Sequence, residues 1–252
     1  MPSDVVTVER RDLIALITLN RPQARNAINM DLAVALCEAI DASQDAACIV
    51  VTGADPAFCA GLDLRNLGVD KLTDLPPFLA TASASGVPLI AAVNGPAVTG
   101  GFELALACDF IVASERAGFA DTHLRVGVYP GPVLIDLPRR VGMAWAREMS
   151  LTGNFVDAST ALRIGIANHV VPHDELLPRA LELAGAIADQ DPHMVATARQ
   201  DWNATTGVPL ADARRIHQQH AERGGFTSAD GSGIASRRDA VLARARAQRQ
   251  DA

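Results

Sequence analysis

Two short stretches hold residues that together suit chemistry at a carbonyl. Residues 94–109 read Asn-Gly-Pro-Ala-Val-Thr-Gly-Gly-Phe-Glu-Leu-Ala-Leu-Ala-Cys-Asp, and Gly100-Gly101 falls where a turn becomes the first turn of a helix. The leading N–H groups of a helix have no partner within it, and that end carries roughly half a positive charge. Without a side chain, glycine lets a substrate oxygen approach those groups. Glu103 follows one turn on, a carboxylate among apolar residues. Donors for a developing oxyanion beside an acid/base group fit reactions of an acyl carbonyl. In residues 56–64 an apolar run breaks at Ala60-Gly61 ahead of Leu62 and Asp63, a second strand-to-turn site with N–H groups to spare. Each feature also has a plain structural explanation. Gly-Gly is common turn geometry, a first-turn Glu complements the helix dipole, and Asp63 can cap the segment after it.

The surrounding pattern predicts the elements that would hold these residues. Residues 5–8 and 13–19 are β-rich runs forming an antiparallel pair, ended by Asn20-Arg21-Pro22. Asp31 is the expected cap of a helix over 31–42, with Leu32, Leu36 and Ile40 on one face. A buried strand over 48–52 follows, closed by Gly53. Residues 68–77 are polar and proline-bearing, a loop expected to lie over a pocket. A short helix over 78–84 leads to the strand Leu89–Val93, which opens the glycine-rich stretch. Beyond it the pattern predicts strands at 110–113 and Gly118–Ala120, an irregular segment at 121–132, and helices at 135–141, 144–151 and Ala158–Ile164. The strand His169–Val171 precedes a helix over 175–188. From Asp191 the chain is helical and more polar, interrupted at 207–209 and at Gly224-Gly225. The expected organisation is an α/β core over 1–190 with a helical region over 191–252.

Composition narrows the function classes. Of the 252 residues 49% are hydrophobic and 20% charged, which is globular and core-rich. A formal net charge of −7 gives the molecule no nucleic-acid footprint. Only the end of the chain is basic, with Arg237, Arg238, Arg244, Arg246 and Arg249, which reads as a solvated helix. Cys37, Cys48, Cys59 and Cys108 lie in apolar segments without ligand spacing, as expected of reduced core residues in a cytoplasmic protein. No apolar run is long enough to span a membrane, and the N-terminus lacks the pattern of a secretion signal. No metal is expected. His217 and His220, one helical turn apart, have no carboxylate or cysteine cluster nearby in sequence to complete a metal site, and read as exposed histidines. Gly95 and Gly100 have the glycine spacing of a P-loop, but Gly101-Phe102 follows where Lys and Ser/Thr are required. The Gly-x-Ser-x-Gly of a serine hydrolase is missing.

With these pieces in place, the chain resembles the crotonase superfamily of enoyl-CoA hydratases and isomerases. The resemblance runs from about Val5 to Ala188 and rests on several motifs in order. They are Leu19-Asn20-Arg21-Pro22 with Asn26-Ala27, Ala57-Phe58-Cys59-Ala60-Gly61-Leu62-Asp63, the 94–109 stretch, Val141-Gly142, Leu151-Thr152-Gly153 and Gly165-Ile166-Ala167. It implies a spiral of β-β-α units with a C-terminal helical region that mediates trimers, often paired into hexamers. It implies an acyl-CoA substrate of fatty-acid breakdown by β-oxidation and no cofactor beyond the CoA moiety itself. Position by position, the two oxyanion-hole N–H groups fall on Ala60 and Gly100. Ala24 and Arg25 match the part along the CoA adenine and phosphates, and Ala60, Gly61, Leu62 and Asp63 the part at the pantetheine and thioester.

One departure bears on the reaction. Hydratases of the family hold a water between two glutamates; Glu103 matches the first, and His123 stands at the second. Three readings follow. Glu103 takes a proton from water while His123 orients it or supplies a proton, so that 2-enoyl-CoA hydration survives. Glu103, alone or with His123, shuttles a proton in double-bond isomerisation. Or the site binds acyl-CoA without turnover and His123 is held structurally beside Asp121. Asp121 and Asp136 are spare carboxylates nearby. A second departure is Pro132-Val133-Leu134, bulkier than the family's glycine-rich run, which implies a differently shaped acyl pocket. The expectation carried forward is hydration, with Glu103 as general acid/base.

Overall fold

The alternating hydrophobic runs near the N-terminus pair as expected. In the computed structural model, which describes residues 5–63, 65, 75–225, 237–239 and 241–246, β1 (Val6–Arg11) and β2 (Ile14–Leu19) are antiparallel, with Val6 opposite Leu19. Helix α1 (Met30–Asp41) follows. Its cap is Asn29 rather than Asp31: Asn29 is extended and its side chain accepts the Leu32 N–H, whereas Asp31 already lies inside the first turn. Then come β3 (Cys48–Gly53), α2 (Phe78–Ser83) and β4 (Leu89–Val93). Beyond β4 lie β5 (Pro96–Val98), α3 (Gly100–Ala107), β6 (Phe110–Ser114) and β7 (Gly118–Ala120). The chain continues through α4 (His123–Val126), α5 (Val133–Thr152), β8 (Val156–Asp157), α6 (Ala158–Ile164), β9 (His169–Val171), α7 (Leu176–Ala188), α8 (Pro192–Thr205) and α9 (Leu210–Arg223).

The main sheet has the order β1-β2-β3-β4-β6-β9, with every pairing from β2 onward parallel. A three-stranded sheet, β5-β7-β8, stands apart from it. Every residue of β3 and β4 is buried, as befits parallel strands covered on both faces. The two-residue period divides the cover. Ile17, Ile49, Val51, Leu89 and Ala91 pack with Leu32, Leu36 and Ile40 of α1. Leu16, Val50, Ile90 and Val112 pack under Leu176, Ala180 and Ala184 of α7. The helical pattern over 135–151 is broken in α5 by Gly142, whose φ of 77° and ψ of 163° are not helical, so the Val141-Gly142 boundary is physical. The strand β5 was not foreseen. Its three residues show no period of their own, and its pairing with β7 is a long-range choice.

The chain divides into two compact units, Met1–Val195 and Ala196–Ala252. The second carries α9, in which no residue is buried. There Asp201 faces both His217 and His220, a carboxylate the linear sequence hides. Among the described residues no group of three or more His, Cys, Asp or Glu side chains could hold a metal ion. No described helix is long and apolar enough to cross a membrane. Of the loop expected over 68–77, residues 68–74 lie outside the described residues, as does Arg249.

Candidate active site

Two turns meet at the head of α3. The turn after Phe58 is zipped to β5: Cys59 N–H donates to Pro96 O at 3.1 Å, and Val98 N–H donates to Cys59 O at 2.9 Å. The approach is close enough to fix residue types. A Cβ on Gly101 would stand 2.2 Å from the Cys59 carbonyl oxygen, and one on Gly61, where φ is +87°, would stand 2.0 Å from Thr99 Oγ1. Gly100 faces the same turn, its Cβ direction ending 4.0 Å from Gly61 Cα. Non-glycine residues with positive φ gather here too: Arg25, Asn26 and Thr99, the last at φ 46° and ψ −115°. Such backbone costs about 1–3 kcal/mol per residue and persists where the surroundings over-determine it.

The N–H group left free at the first turn is not the expected one. Ala60 N–H is engaged, donating to Arg25 O at 3.0 Å. Gly61 N–H turns to the Cys59 thiol, and Asp63 N–H donates to Ile28 O at 2.8 Å. That leaves Leu62, whose N–H meets no acceptor among the described residues. At the facing turn, Thr99 N–H donates to Ala120 O and Glu103 N–H to Thr99 O, while Gly100 N–H likewise meets no acceptor among them. Ala60, Leu62, Thr99, Thr122 and His123 all line one cavity of ≈ 50 Å³. Burial also pushes the Cys59 thiol up to about 12, so this cysteine beside the turn is inert as a nucleophile.

Glu103 is 7% exposed and held from both sides. Its Oε1 accepts the Val133 N–H at 3.1 Å, and its Oε2 stands 3.7 Å from His123 Nε2. A Cβ on Gly131 would lie 3.0 Å from that Oε1, so a larger residue after Pro130 would push the carboxylate by a few tenths of an ångström. Burial raises the Glu103 carboxyl above its ordinary value, against the lowering effect of the Val133 N–H and His123. Phe102 on α3 and Phe119 on β7 pack with ring centroids 5.5 Å apart, which ties the helix bearing Glu103 to the strand leading to His123. Arg140 closes the far end of α3 by donating to Cys108 O at 2.8 Å, a cation where the helix dipole is negative.

His123 is buried between two carboxylates. Its Nδ1 lies 2.6 Å from Asp121 Oδ1, which also accepts the His123 N–H at 3.3 Å. Burial opposes the imidazolium, but Asp121 and then Glu103 outweigh it, and the His123 pKa is raised. Asp121 is 1% exposed. Burial alone would raise its carboxyl, yet the contacts with His123 and the nearby Ser150 hydroxyl bring it below its ordinary value. The spare carboxylate of the sequence reading is therefore the ionised partner of the histidine. Asp136 lies in the first turn of α5 and acts on Glu103 only through its charge.

The strip expected to follow a CoA tail is assembled beside the first turn. The Ala60–Arg25 bond, with Ile28 N–H on Gly61 O at 2.7 Å, lays residues 25–28 along 60–63, so Ala24, Arg25, Gly61, Leu62 and Asp63 are neighbours. Arg25 is exposed and Ala24 half-buried. Arg21 locks the strip from within, donating to Ala27 O and pairing with Asp63 Oδ2 at 3.1 Å with both side chains largely buried. Asn26, fully buried, donates to Ala54 O and Ala57 O and accepts the Arg21 N–H. Removing one partner of a buried pair strands the other's charge, so Arg21→Met is expected to destabilise the protein by about 3 kcal/mol, read by urea unfolding. A change below about 0.5 kcal/mol would make the pair an ordinary surface bridge.

Val133 and Leu134, the bulky residues of the departure noted in the sequence, line an apolar cavity of ≈ 280 Å³ with Leu124, Tyr129, Met143 and Leu151. A second polar relay lies elsewhere: Ser114 Oγ, His173 and Asp55 are linked at 3.0 and 3.1 Å. Ser114 is fully buried and Asp55 exposed, so this network runs from β6 out to the loop after β3.

Comparison with known proteins gives one answer. A family model described as "Enoyl-CoA hydratase/isomerase" matches residues 9–231. A probable enoyl-CoA hydratase of Rhizobium meliloti is 38% identical over 229 residues, covering 87% of this chain and 89% of its own. A probable peroxisomal enoyl-CoA hydratase of Arabidopsis thaliana is 36% identical, covering 85% of this chain and 84% of its own. A solved enoyl-CoA hydratase from Mycobacterium smegmatis is 39% identical with a TM-score of 0.75, covering 90% of this chain and 100% of that one. One from Geobacillus kaustophilus, at 30% identity, reaches a TM-score of 0.85 over 92% of this chain and 94% of its own.

Proposed function

The chain belongs to the enoyl-CoA hydratase/isomerase family, and we propose that it adds water to 2-enoyl-CoA thioesters using Glu103 as base and His123 as acid. It is a hydratase-like enzyme, a lyase, with a crotonase-type α/β fold. The Leu62 and Gly100 N–H groups hold the thioester oxygen, and charge moving onto that oxygen is the step they stabilise. Losing one such donor costs about 3–4 kcal/mol in other acyl-transfer sites. The CoA tail, running past Ala24, Arg25 and Asp63, fixes the acyl group by binding energy remote from the reacting carbons. The apolar cavity beneath Val133 receives the acyl chain.

The observation that carries this reading is the 3.7 Å separation of Glu103 Oε2 and His123 Nε2. It is too long for a direct hydrogen bond, yet a water beside both atoms reaches each at about 2.8 Å. Glu103 takes a proton from that water as its oxygen bonds to C3. The Nε2–H of the imidazolium goes to C2, discharging the enolate-like state. Glu103 is left protonated and His123 neutral, and transfer of one proton between them restores the starting state. A base with a raised pKa and a cationic acid suit these two roles near neutral pH.

No metal, nicotinamide or flavin enters this scheme. A homotrimer or homohexamer working in cytoplasmic β-oxidation completes the reading, and native mass measurement decides the assembly. The test of the reaction follows the conjugated thioester absorbance of crotonyl-CoA and longer 2-enoyl-CoAs. A decline is expected, and His123→Gln should slow it by about 10²-fold, within the range for loss of a general acid. Stabilisation of the fold by these ligands with no decline at any chain length would make the protein a binder. Conversion of a 3-enoyl-CoA to the conjugated form without hydration would make it an isomerase.

A further inference from the structure

We infer that Asp121 is a positioning residue that makes His123 the proton donor of this site, by fixing the proton on Nδ1 and leaving Nε2–H aimed toward Glu103. The inference rests on the hydratase reading, and it explains how a histidine can stand where a carboxylic acid would otherwise give up its proton.

A neutral imidazole has one N–H and two tautomers, and only one of them puts a proton on Nε2. Asp121 Oδ1, 2.6 Å from Nδ1, selects the tautomer with the proton on Nδ1. Neutral His123 in this pocket therefore presents a bare Nε2 to Glu103 and has nothing to donate. Only the imidazolium carries the Nε2–H the reaction needs, so the same contact that fixes the ring must also supply charge. Asp121 is placed to do so. It is 1% exposed, and Oδ2 has no partner at hydrogen-bonding geometry among the described residues, although the Ser150 hydroxyl is near. A buried carboxylate in that condition is costly unless a cation faces it, and His123 is the cation in contact.

The competing explanation is a turn device. Asp121 Oδ1 also accepts the His123 backbone N–H, as an aspartate does when it organises the chain two residues on. The two explanations separate on charge. Asparagine keeps an oxygen for both N–H groups and removes the charge. The charged groups acting on His123 among the described residues are Asp121 beside it and Glu103 from α3; Asp136 from α5 acts on Glu103.

The sign follows from the direction of the shift. The His123 pKa is raised, so the donor form persists above the usual value near 6.5 and is lost as pH rises through the shifted one. The alkaline limb of kcat/KM should follow that titration. In Asp121→Asn the limb should move at least one pH unit toward acid, with kcat/KM about tenfold lower on the alkaline side. The unliganded ring, titrated by NMR with labelled histidine, should move by the same amount, while CoA binding and Tm report that the turn is intact. A wild-type His123 ring titrating at or below 6.5 overturns the inference without any variant. So does a variant whose ring shifts while its pH profile does not, or whose ring does not shift at all. Absence of turnover in the unmodified protein overturns the hydratase reading and the donor role together, while the ring titration still shows whether Asp121 holds the imidazolium.

Discussion

Glu103→Gln is expected to lower crotonyl-CoA hydration by about 10²–10⁴-fold, the range for removing a positioned general base. The substitution isolates the chemistry because the structure tolerates the shape. Glutamine Oε1 can still accept the Val133 N–H that Glu103 Oε1 accepts at 3.1 Å, and the amide has nearly the volume of the carboxylate it replaces. What disappears is a carboxylate able to take a proton from water. Stability should move the other way. Burial raises the Glu103 pKa on folding, so its ionised form opposes the folded state. Its stabilising contribution is present below the unfolded-state pKa and is lost as pH rises through the folded one. Near neutral pH the glutamine variant therefore should unfold at the same temperature or higher, even though His123 loses a neighbouring anion. A large fall in hydration at unchanged Tm and CoA affinity marks Glu103 as the base. A fall of less than about threefold, or a rate loss that merely tracks a loss of fold, removes it from the mechanism.

The parts of the site that sequence could reach are those contained in one contiguous stretch. Gly100-Gly101 and Glu103 share a strand-to-helix junction, so residue type and spacing located a donor turn with a carboxylate one turn on. Gly142 was legible for the same reason, since a break in helical pattern and a break in φ and ψ coincide at one residue. The choice between Ala60 and Leu62 was not legible. Both sit in the same turn, and which N–H is spent depends on residues 25–28, brought alongside by Arg25 and Asn26 in left-handed backbone. Asp121 was visible as a carboxylate near His123, but its bond to Nδ1 needs the side-chain rotamer of a buried turn. The pairing of His173 with Ser114 and Asp55 was hidden further still, because those three residues meet only through the parallel sheet. Long-range backbone pairing, more than residue type, is what separates the expected site from the observed one.

The assignment of Leu62 in place of Ala60 makes the second large prediction, and it requires a change to the peptide bond itself. No side-chain substitution removes an N–H except proline, which also fixes φ. Replacing the amide nitrogen of Leu62 by an ester oxygen, through the corresponding α-hydroxy acid, deletes the donor and leaves the side chain in its place. This is expected to lower kcat by about 10²–10³-fold, the effect of losing one oxyanion donor elsewhere. The stability cost should stay below about 1 kcal/mol, since that N–H meets no acceptor among the described residues and the remaining change is a weaker acceptor at Gly61 O for the Ile28 N–H. The same replacement at Ala60 deletes the bond to Arg25 O, a structural link of 3.0 Å. There the expected cost is about 1 kcal/mol of stability, with hydration changed only a few-fold. Thermal unfolding and crotonyl-CoA kinetics on the two esters read both quantities. The reverse pattern, with kcat collapsing at Ala60 and holding at Leu62, would return the donor to Ala60 and require the Arg25 bond to open when substrate binds. Equal and small effects at both positions would leave Gly100 without a partner on the facing turn. Two separately held turns would then lose their reason to be packed so closely that neither Gly61 nor Gly101 has room for a Cβ.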